Sequence, residues 1–275
     1  MSGFLDEMAR ASSARVAAAR AREPLAVLER RAREAPRAAP LRLSPGGFDV
    51  IAELKLKSPA AGRLGDVAQD WLGRVAAYAR GGAAAVSVLT EPTRFDGSLD
   101  HLRAAATALA PLDVPAMRKD FIVDPYQVLE ARAAGAGGVL LILRMLPAGE
   151  IARLLDAAAE HALFVLLEAF DAADLESARD LLAVRRARDE HILVGVNCRD
   201  LQTLEVVPER FAALAPLLPP GDASVAESGV GSAADAVRMR DLGYRIALIG
   251  TALMTRGDPA ELLREILGAT RTVTP

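Results

Sequence analysis

The sequence has few of the residues that build cross-links, metal sites and aromatic cores. One cysteine, Cys198, occurs in 275 residues, which excludes an internal disulfide and a multi-cysteine metal site and fits a reducing cytoplasm. Aromatic residues make up only 4%, so the core has to be built from Ala, Leu and Val. No run of about 18 uncharged apolar residues predicts a membrane span. The N-terminal residues also lack the apolar core of a signal peptide.

Lysine and asparagine are also scarce. Of 33 basic residues 30 are arginine; the lysines are Lys55, Lys57 and Lys119, and the single asparagine is Asn197. Lysine can shift its pKa when buried and act as an acid or base, whereas arginine stays protonated, so the retained lysines indicate a catalytic need. The net charge of −3 predicts neither a nucleic-acid surface nor a membrane surface. Three scattered histidines show no metal-ligand spacing, so we expect no metal site.

Eight short runs rich in Val, Ile and Leu alternate with longer Ala-, Leu- and Arg-rich segments of helical period. The runs begin near residues 50, 85, 114, 138, 163, 192, 223 and 246. Helices are predicted between them, for example over 68–80, 125–134, 147–161 and 233–242. Eight strand-then-helix units predict an α/β protein of the (β/α)8 TIM-barrel class. A doubly wound open sheet is the alternative, but it usually has fewer strands, and no GxGxxG fingerprint follows a strand here.

The segment before the first run is of a different kind. Its first part, from about residue 4 to 33, has the pattern of one or two amphipathic helices broken near Pro24, and a Pro-rich connector follows. We predict an N-terminal helical extension over 1–47 that packs on a barrel over 48–275, with a single domain overall. The extension either closes the barrel by packing or covers the site as a lid, and both roles stay open at this stage.

Polar residues follow nearly every predicted strand, and in a TIM barrel the active site lies at the C-terminal ends of the strands. In the stretch IAELKLKSP, strand alternation would place Glu53, Lys55 and Lys57 on one face, pointing into the barrel mouth. Taken singly, such residues have plain interpretations, such as a helix cap for Asp120. Their concentration at one end of the barrel predicts a catalytic site. The other members of this set are Lys119, Glu168, Asn197 and Glu227.

Two glycine-containing stretches, AESGV and LIGTAL, follow the seventh and eighth runs. Glycine allows close backbone approach, and the loops after these two strands are the usual phosphate site of such barrels. Ser228 and Thr251 can add hydroxyl donors. No GxxxxGK[ST] motif is present, so the pattern predicts a small phosphorylated metabolite rather than a nucleoside triphosphate.

Together these segments resemble the indole-3-glycerol-phosphate synthase family. The resemblance spans nearly the whole chain and is carried by FLDEMARASSARV, IAELKLKSPAAG, SVLTEPTRFDGS, RKDFIVDPYQ, GVNCRDLQTLEVV, VAESGV and ALIGTALM. It implies a lyase of tryptophan biosynthesis, without metal or organic cofactor, that converts 1-(2-carboxyphenylamino)-1-deoxyribulose 5-phosphate to indole-3-glycerol phosphate with loss of carbon dioxide and water. The implied partner is this small phosphorylated anthranilate-ribulose substrate, with no nucleic acid and no membrane. We expect a cytoplasmic monomer.

The resemblance also implies roles for individual residues. Lys119 would be the general acid of ring closure, Lys55 and Glu53 the acid and base of the later dehydration, and Glu168 the stabiliser of developing positive charge. The other implied residues would orient the intermediate (Asn197, Glu227), contact the substrate carboxylate (Ser58, Arg199), line the anthranilate pocket (Phe121, Leu201) or hold the phosphate (Ser228, Gly229, Gly250, Thr251).

Four positions depart from the family pattern: Leu56, Phe170, Cys198 and Thr251. By alternation Leu56 and Cys198 should face away from the mouth, and Phe170 replaces a polar residue at the rim. Two other functions are weighed. A barrel of the phosphoribosylanthranilate isomerase type would use a Cys/Asp pair, but Cys198 follows the wrong strand. A non-catalytic barrel is disfavoured by the intact set of lysines and glutamates.

Overall fold

A closed barrel of eight parallel strands forms the centre of the molecule. The structure is a computed structural model, and it describes residues 3–45, 47–58, 62–63, 70–185, 188, 190–201, 203–221 and 223–271. Each strand pairs with its sequence neighbours, and the first strand also pairs with the last, which confirms the predicted TIM barrel. The strands are β1 Asp49–Leu54, β2 Ala85–Leu89, β3 Ala116–Lys119, β4 Gly138–Ile142, β5 Phe164–Ala169, β6 Ile192–Asn197, β7 Ala223–Glu227 and β8 Ile246–Ile249.

Both faces of the strands are covered, which is why they read as continuous apolar runs. Alternate residues enter two different clusters. Ile51, for example, packs inside the barrel, whereas its neighbours Val50 and Ala52 pack outward against the helices. This alternation decides which residue at the end of each strand reaches the barrel mouth.

Twelve helices are present in the described part of the chain, and most of them lie outside the barrel. Six begin directly after an Asp or Ser whose side chain accepts a hydrogen bond from a first-turn N–H group, namely Asp70, Ser98, Asp124, Asp171, Ser232 and Asp258. None of the described helices is long and apolar enough to cross a membrane. The helices are α1 Gly3–Arg22, α2 Leu25–Glu34, α3 Trp71–Arg80, α4 Pro92–Phe95, α5 Leu99–Leu109, α6 Pro125–Ala133, α7 Ala148–Glu160, α8 Ala172–Ala183, α9 Glu209–Leu214, α10 Ala233–Asp241, α11 Thr251–Thr255 and α12 Pro259–Thr270.

The N-terminal extension forms two helices, where the sequence predicted one or two, and they separate near Pro24 as expected. Helix α1 contributes Leu5 and Met8 to the apolar cluster that continues into the barrel interior. Further along, Val16 and Leu28 pack with Tyr126 of α6 in a separate small cluster. Helices α1 and α2 therefore pack against the barrel, and the first turns of α1 lie beside the mouth.

The first strand is shorter than predicted. It ends at Leu54, and Lys57 belongs to a small antiparallel hairpin formed by Lys57–Ser58 and Gly62–Arg63. The prediction that Lys57 points into the mouth with Glu53 and Lys55 was wrong, because alternation holds only while the strand continues. Lys57 instead lies 3.6 Å from Asp96, after α4. The helix predicted over 68–80 begins at Trp71, and residues 64–69 lie outside the described part.

Candidate active site

A cavity of about 580 Å³ opens at the C-terminal ends of the barrel strands. Its lining contains all six residues expected to carry catalysis, which come from β1, β3, β5, β6 and β7 and the residue after β1. Closure of the barrel brings together side chains that are up to 174 residues apart, the distance in sequence from Glu53 to Glu227. The six are Glu53, Lys55, Lys119, Glu168, Asn197 and Glu227.

Lys119 lies between two carboxylates. Its Nζ is 3.0 Å from Glu168 Oε2 and 3.5 Å from Glu227 Oε2. Burial by itself would lower the pKa of Lys119, but the nearby Glu168, Glu227 and Glu53 outweigh it and raise that pKa above the ordinary value. Lys119 is therefore a protonated ammonium at neutral pH, and it can donate a proton to a bound substrate.

Glu227 also tends to keep its proton, but its protonated form is neutral. It is 1% exposed, and its Oε1 is buried without a hydrogen-bond partner. Burial, followed by the charge of Glu168, raises the pKa of Glu227 well above the ordinary value, and the opposing effect of Lys119 is smaller. The Lys119 ammonium thus lies beside two carboxyl groups, and the carboxyl group of Glu227 favours its neutral form.

Glu53 and Lys55 form a second pair at the end of β1. Lys55 Nζ is 3.2 Å from Glu53 Oε1, and both side chains are largely buried. Glu53 extends over Gly250, where a Cβ atom would come within 2.5 Å of Glu53 Oε1. An acid and a base are therefore adjacent beside the glycine-containing loop that follows β8.

Asn197 organises the loop after β6. Its Oδ1 accepts hydrogen bonds from Ser228 Oγ at 2.9 Å and from the backbone N–H of Arg199 at 3.0 Å. The guanidinium of Arg199 donates to the Leu204 carbonyl at 2.6 Å. Both Arg199 and Leu201 line the cavity.

The expected phosphate residues line another part of the same cavity. Ser228 and Gly229 have positive φ values of 68° and 77°, a turn that follows directly on Glu227. Gly250 and Thr251 line the cavity at the end of β8. Gly231, which the sequence analysis did not select, also belongs to this lining.

The opposite wall is apolar and includes residues that the sequence analysis missed. Phe121 packs against Phe4 of α1, with ring centroids 5.9 Å apart, and against Phe95, with centroids 6.4 Å apart. Leu5 of α1 also lines the cavity. Phe4, the aromatic residue of the FLDEM stretch, was the sequence feature that could have indicated this wall. Its contact with the site depends on how α1 packs on the barrel.

Asp120 is not a helix cap, as its plain interpretation suggested; Asp124 caps α6. Asp120 instead accepts hydrogen bonds from Thr90 Oγ1 at 2.7 Å, Arg118 at 3.0 Å and Arg15 of α1 at 2.7 Å. Burial opposes ionisation, but Arg118 and Arg15 keep the pKa of Asp120 below the ordinary value. Asp120 also accepts a hydrogen bond from the backbone N–H of Phe121. Because Arg118 and Asp120 flank Lys119 in sequence, this buried network holds the chain on both sides of Lys119.

The positions that depart from the family pattern lie outside the cavity lining, except Thr251. Leu56 and Cys198 pack with the outer cluster, as alternation predicts. Burial raises the pKa of the Cys198 thiol to about 11. Phe170 is buried, and the guanidinium carbon of Arg144 lies over its ring, 4.8 Å from the ring centroid. The side chain of Ser58, an expected carboxylate contact, is outside the described part of the structure.

Metal coordination was tested by geometry. In the described ranges, no group of three or more His, Cys, Asp and Glu side chains is arranged to hold a metal ion. Three carboxylates of the cavity, those of Glu53, Glu168 and Glu227, instead lie beside the two lysines.

Comparison with known proteins identifies the family. The family model for indole-3-glycerol phosphate synthase matches residues 5–266. Proteins named indole-3-glycerol phosphate synthase are similar to the chain: one from Nocardioides sp. is 46% identical over 222 residues, covering 81% of each chain. Another, from Koribacter versatilis, is 39% identical over 272 residues, covering 98% of each.

Solved structures of lower sequence similarity share the fold. A 3-hexulose-6-phosphate synthase structure has a TM-score of 0.59 at 19% identity, covering 81% of this chain and 100% of that one. At that identity only the barrel architecture is supported. The family match and the relatives above extend over the barrel and most of the N-terminal extension, so the chain belongs to the indole-3-glycerol phosphate synthase family.

Proposed function

We propose that the chain carries out its family's reaction in this cavity, as a carboxy-lyase of tryptophan biosynthesis. It would convert 1-(2-carboxyphenylamino)-1-deoxyribulose 5-phosphate to indole-3-glycerol phosphate, releasing carbon dioxide and water. The observation that carries the proposal is Lys119, a buried ammonium held between Glu168 and Glu227 in a cavity with one apolar wall and one glycine-containing wall.

Ring closure is assigned to Lys119. As the aromatic carbon bonds to the ribulose carbonyl carbon, the carbonyl oxygen gains negative charge and takes a proton from the Lys119 ammonium. The raised pKa keeps Lys119 protonated before the substrate binds. Glu168, 3.0 Å from that ammonium, would stabilise the positive charge that develops on the intermediate. General acid assistance of this kind contributes about 10²–10⁴ to a rate.

Decarboxylation and dehydration follow ring closure. Loss of carbon dioxide leaves the bonding electrons on the ring system. The hydroxyl group then leaves as water after taking a proton from an acid, while a base removes a ring proton. We assign Lys55 as this acid and Glu53 as this base, since their charged atoms lie 3.2 Å apart and both line the cavity. Asn197 and Glu227 would orient the intermediate.

Substrate binding divides between the two walls of the cavity. Phe121 and Leu201 would contact the anthranilate ring, and Arg199 with Ser58 would bind its carboxylate. The phosphate would lie on the opposite side, where backbone N–H groups and hydroxyls are available near the end of β7 and β8. The residues assigned to it are Ser228, Gly229, Gly250 and Thr251.

The organisation of the whole chain is part of the proposal. We infer one domain, in which the 1–47 extension packs on the 48–275 barrel through shared apolar clusters. A monomer is proposed, because large exposed apolar side chains of the described residues, such as Leu25 and Val184, are distributed over separate helices and loops. The proposal that it is cytoplasmic and works without metal or organic cofactor follows from the family's reaction.

The direct test is turnover of the ribulose phosphate substrate in buffer containing EDTA, followed by indole fluorescence. Product formation would support both the reaction and its independence from divalent metal ions. A folded protein that binds the substrate without forming product would contradict the catalytic proposal and favour a binding role. Isomerisation of phosphoribosylanthranilate, measured in parallel, would favour the isomerase alternative.

A further inference from the structure

The barrel wall contains a gap directly beneath the catalytic carboxylates, at Gly195 of β6. Gly195 faces the barrel interior and is paired in register with Glu168 of β5 on one side and Val225 of β7 on the other. A Cβ atom at this position would meet Glu227 Oε1 at well under 3.0 Å, a distance that Cβ atoms essentially never show. We call the space above the Gly195 Cα, bounded by Glu227 and Leu166, the Gly195 recess.

The contents of the recess are unusual. Glu227 Oε1, the atom that enters it, is buried and has no hydrogen-bond partner, whereas Oε2 points to Lys119 at 3.5 Å. Unpartnered buried oxygens are rare in proteins because each loses its hydrogen bonds to water. The recess therefore holds the Oε1 side of the carboxyl group by shape, while Lys119 and Glu168 interact with Glu227 from the cavity.

We propose that Gly195 is a positioning residue for the reaction: its missing side chain makes the recess that sets the depth of the Glu227 carboxyl group and hence its distance from Lys119. This inference rests on the proposed function, since it assigns Gly195 an effect through the acid–base cluster. Gly195 does not touch the substrate itself.

Leu166 is the second neighbour, and its contact with an added Cβ would be looser than that of Glu227. Its Cδ1 would lie 3.0 Å from an added Cβ, but this atom is the far end of a flexible side chain and can shift. The Glu227 carboxyl group also ends a flexible side chain, but its Oε1 would be much closer to the Cβ, so it would have to leave its present position beside Lys119. A displacement of about 1 Å at a catalytic group can cost about 10²-fold in rate.

The first experiment is Gly195→Ala, assayed by steady-state kinetics and by thermal unfolding. We expect kcat to fall about 10²-fold, with a much smaller change in KM, because the phosphate and ring contacts lie elsewhere in the cavity. Gly138→Ala of β4 is the matched control, since its added Cβ would clash with the Phe164 ring and not with a carboxylate. That variant should lose stability while the folded enzyme keeps its kcat.

A double-mutant cycle identifies the contact responsible. In a Glu227→Ala background the recess is empty, so adding Gly195→Ala should lower neither kcat nor the melting temperature further. Glu227→Asp, which withdraws the carboxyl group by one methylene, should restore part of the activity lost in Gly195→Ala. An equal loss of kcat from Gly195→Ala in both backgrounds would overturn the proposal, because the effect would then come through Leu166 or the backbone.

The cycle remains decisive if Gly195→Ala does not fold. The double variants with Ala or Asp at 227 relieve the clash and should fold, and failure of both would overturn the proposal. The melting temperatures test the recess even if the wild-type protein shows no turnover. Lack of wild-type turnover would contradict the proposed function, whereas additive melting-temperature changes would contradict the recess.

Discussion

Lys119 and Lys57 are the same residue type in two environments. Lys119 is largely buried between Glu168 and Glu227, whereas Lys57 lies partly exposed beside Asp96 on the hairpin after β1. A surface ion pair contributes little, because water already solvates both charges. Scarcity of lysine therefore identified candidates, but burial distinguishes the lysine to which the acid–base role is assigned from the one on the hairpin.

Replacing Lys119 with Arg should reduce kcat by at least about 10²-fold, because a guanidinium does not release a proton readily. Circular dichroism should show an unchanged fold. Lys57→Arg is the matched control and should keep near-wild-type turnover, since Arg can still pair with Asp96. A Lys119→Arg enzyme with more than about a tenth of wild-type kcat would rule out the general-acid role.

Cys198 should be unreactive in the native protein. It is fully buried, and burial raises the pKa of its thiol to about 11, so almost no thiolate is present at pH 8. Ellman's reagent should titrate one thiol in denaturant and react only slowly with the folded chain. Rapid reaction under native conditions would show that the thiol is accessible from the cavity, contrary to its outward packing.

At the scale of the element, helix α1 is joined to the segment that carries Lys119. The Arg15 guanidinium pairs with the Asp120 carboxylate, which directly follows Lys119. Ser12 Oγ donates a hydrogen bond to the Phe121 carbonyl. The sequence predicted the helix from its apolar period and its end from Pro24. It did not predict these contacts, because they depend on the angle at which α1 crosses the barrel mouth.

Arg15→Ala should destabilise the protein by about 1–3 kcal/mol, the usual cost of losing a hydrogen bond to a buried charged group. Asp120 would keep Arg118 and Thr90, so the fold should survive. Glu7→Gln on the same helix is the control; its partner Arg94 is exposed, and about 0–1 kcal/mol is expected. Urea unfolding of both variants measures the difference. Equal costs would show that the Asp120 network does not anchor α1.

At the scale of the whole molecule, Glu227 lowers the stability of the fold at alkaline pH. Glu227 is buried, and its pKa is raised by that burial and by Glu168. A carboxyl group whose pKa is higher in the folded state stabilises the protein below its unfolded pKa, and that contribution is lost as pH rises through the folded value. The burial of Glu227 is therefore expected to cost stability on the alkaline side.

Glu227→Gln should accordingly raise the melting temperature at pH 8, because a neutral amide does not have to ionise in the barrel. The gain should shrink towards pH 4, where Glu227 is protonated in the folded protein and largely protonated in the unfolded chain. Thermal unfolding of both proteins across this pH range is the measurement. A difference in melting temperature that does not change with pH would contradict the raised pKa of Glu227.

The sequence by itself determined the barrel class, the helical character of the N-terminal extension and the set of polar residues at the strand ends. It could do so because apolar period, caps and strand alternation are local properties of the chain. Only the tertiary structure decided that Lys119 lies between Glu168 and Glu227, that Lys57 turns away after Leu54, and that Gly195 leaves room for Glu227. These features depend on barrel closure and register, which bring together residues distant in sequence and therefore leave no periodic signal.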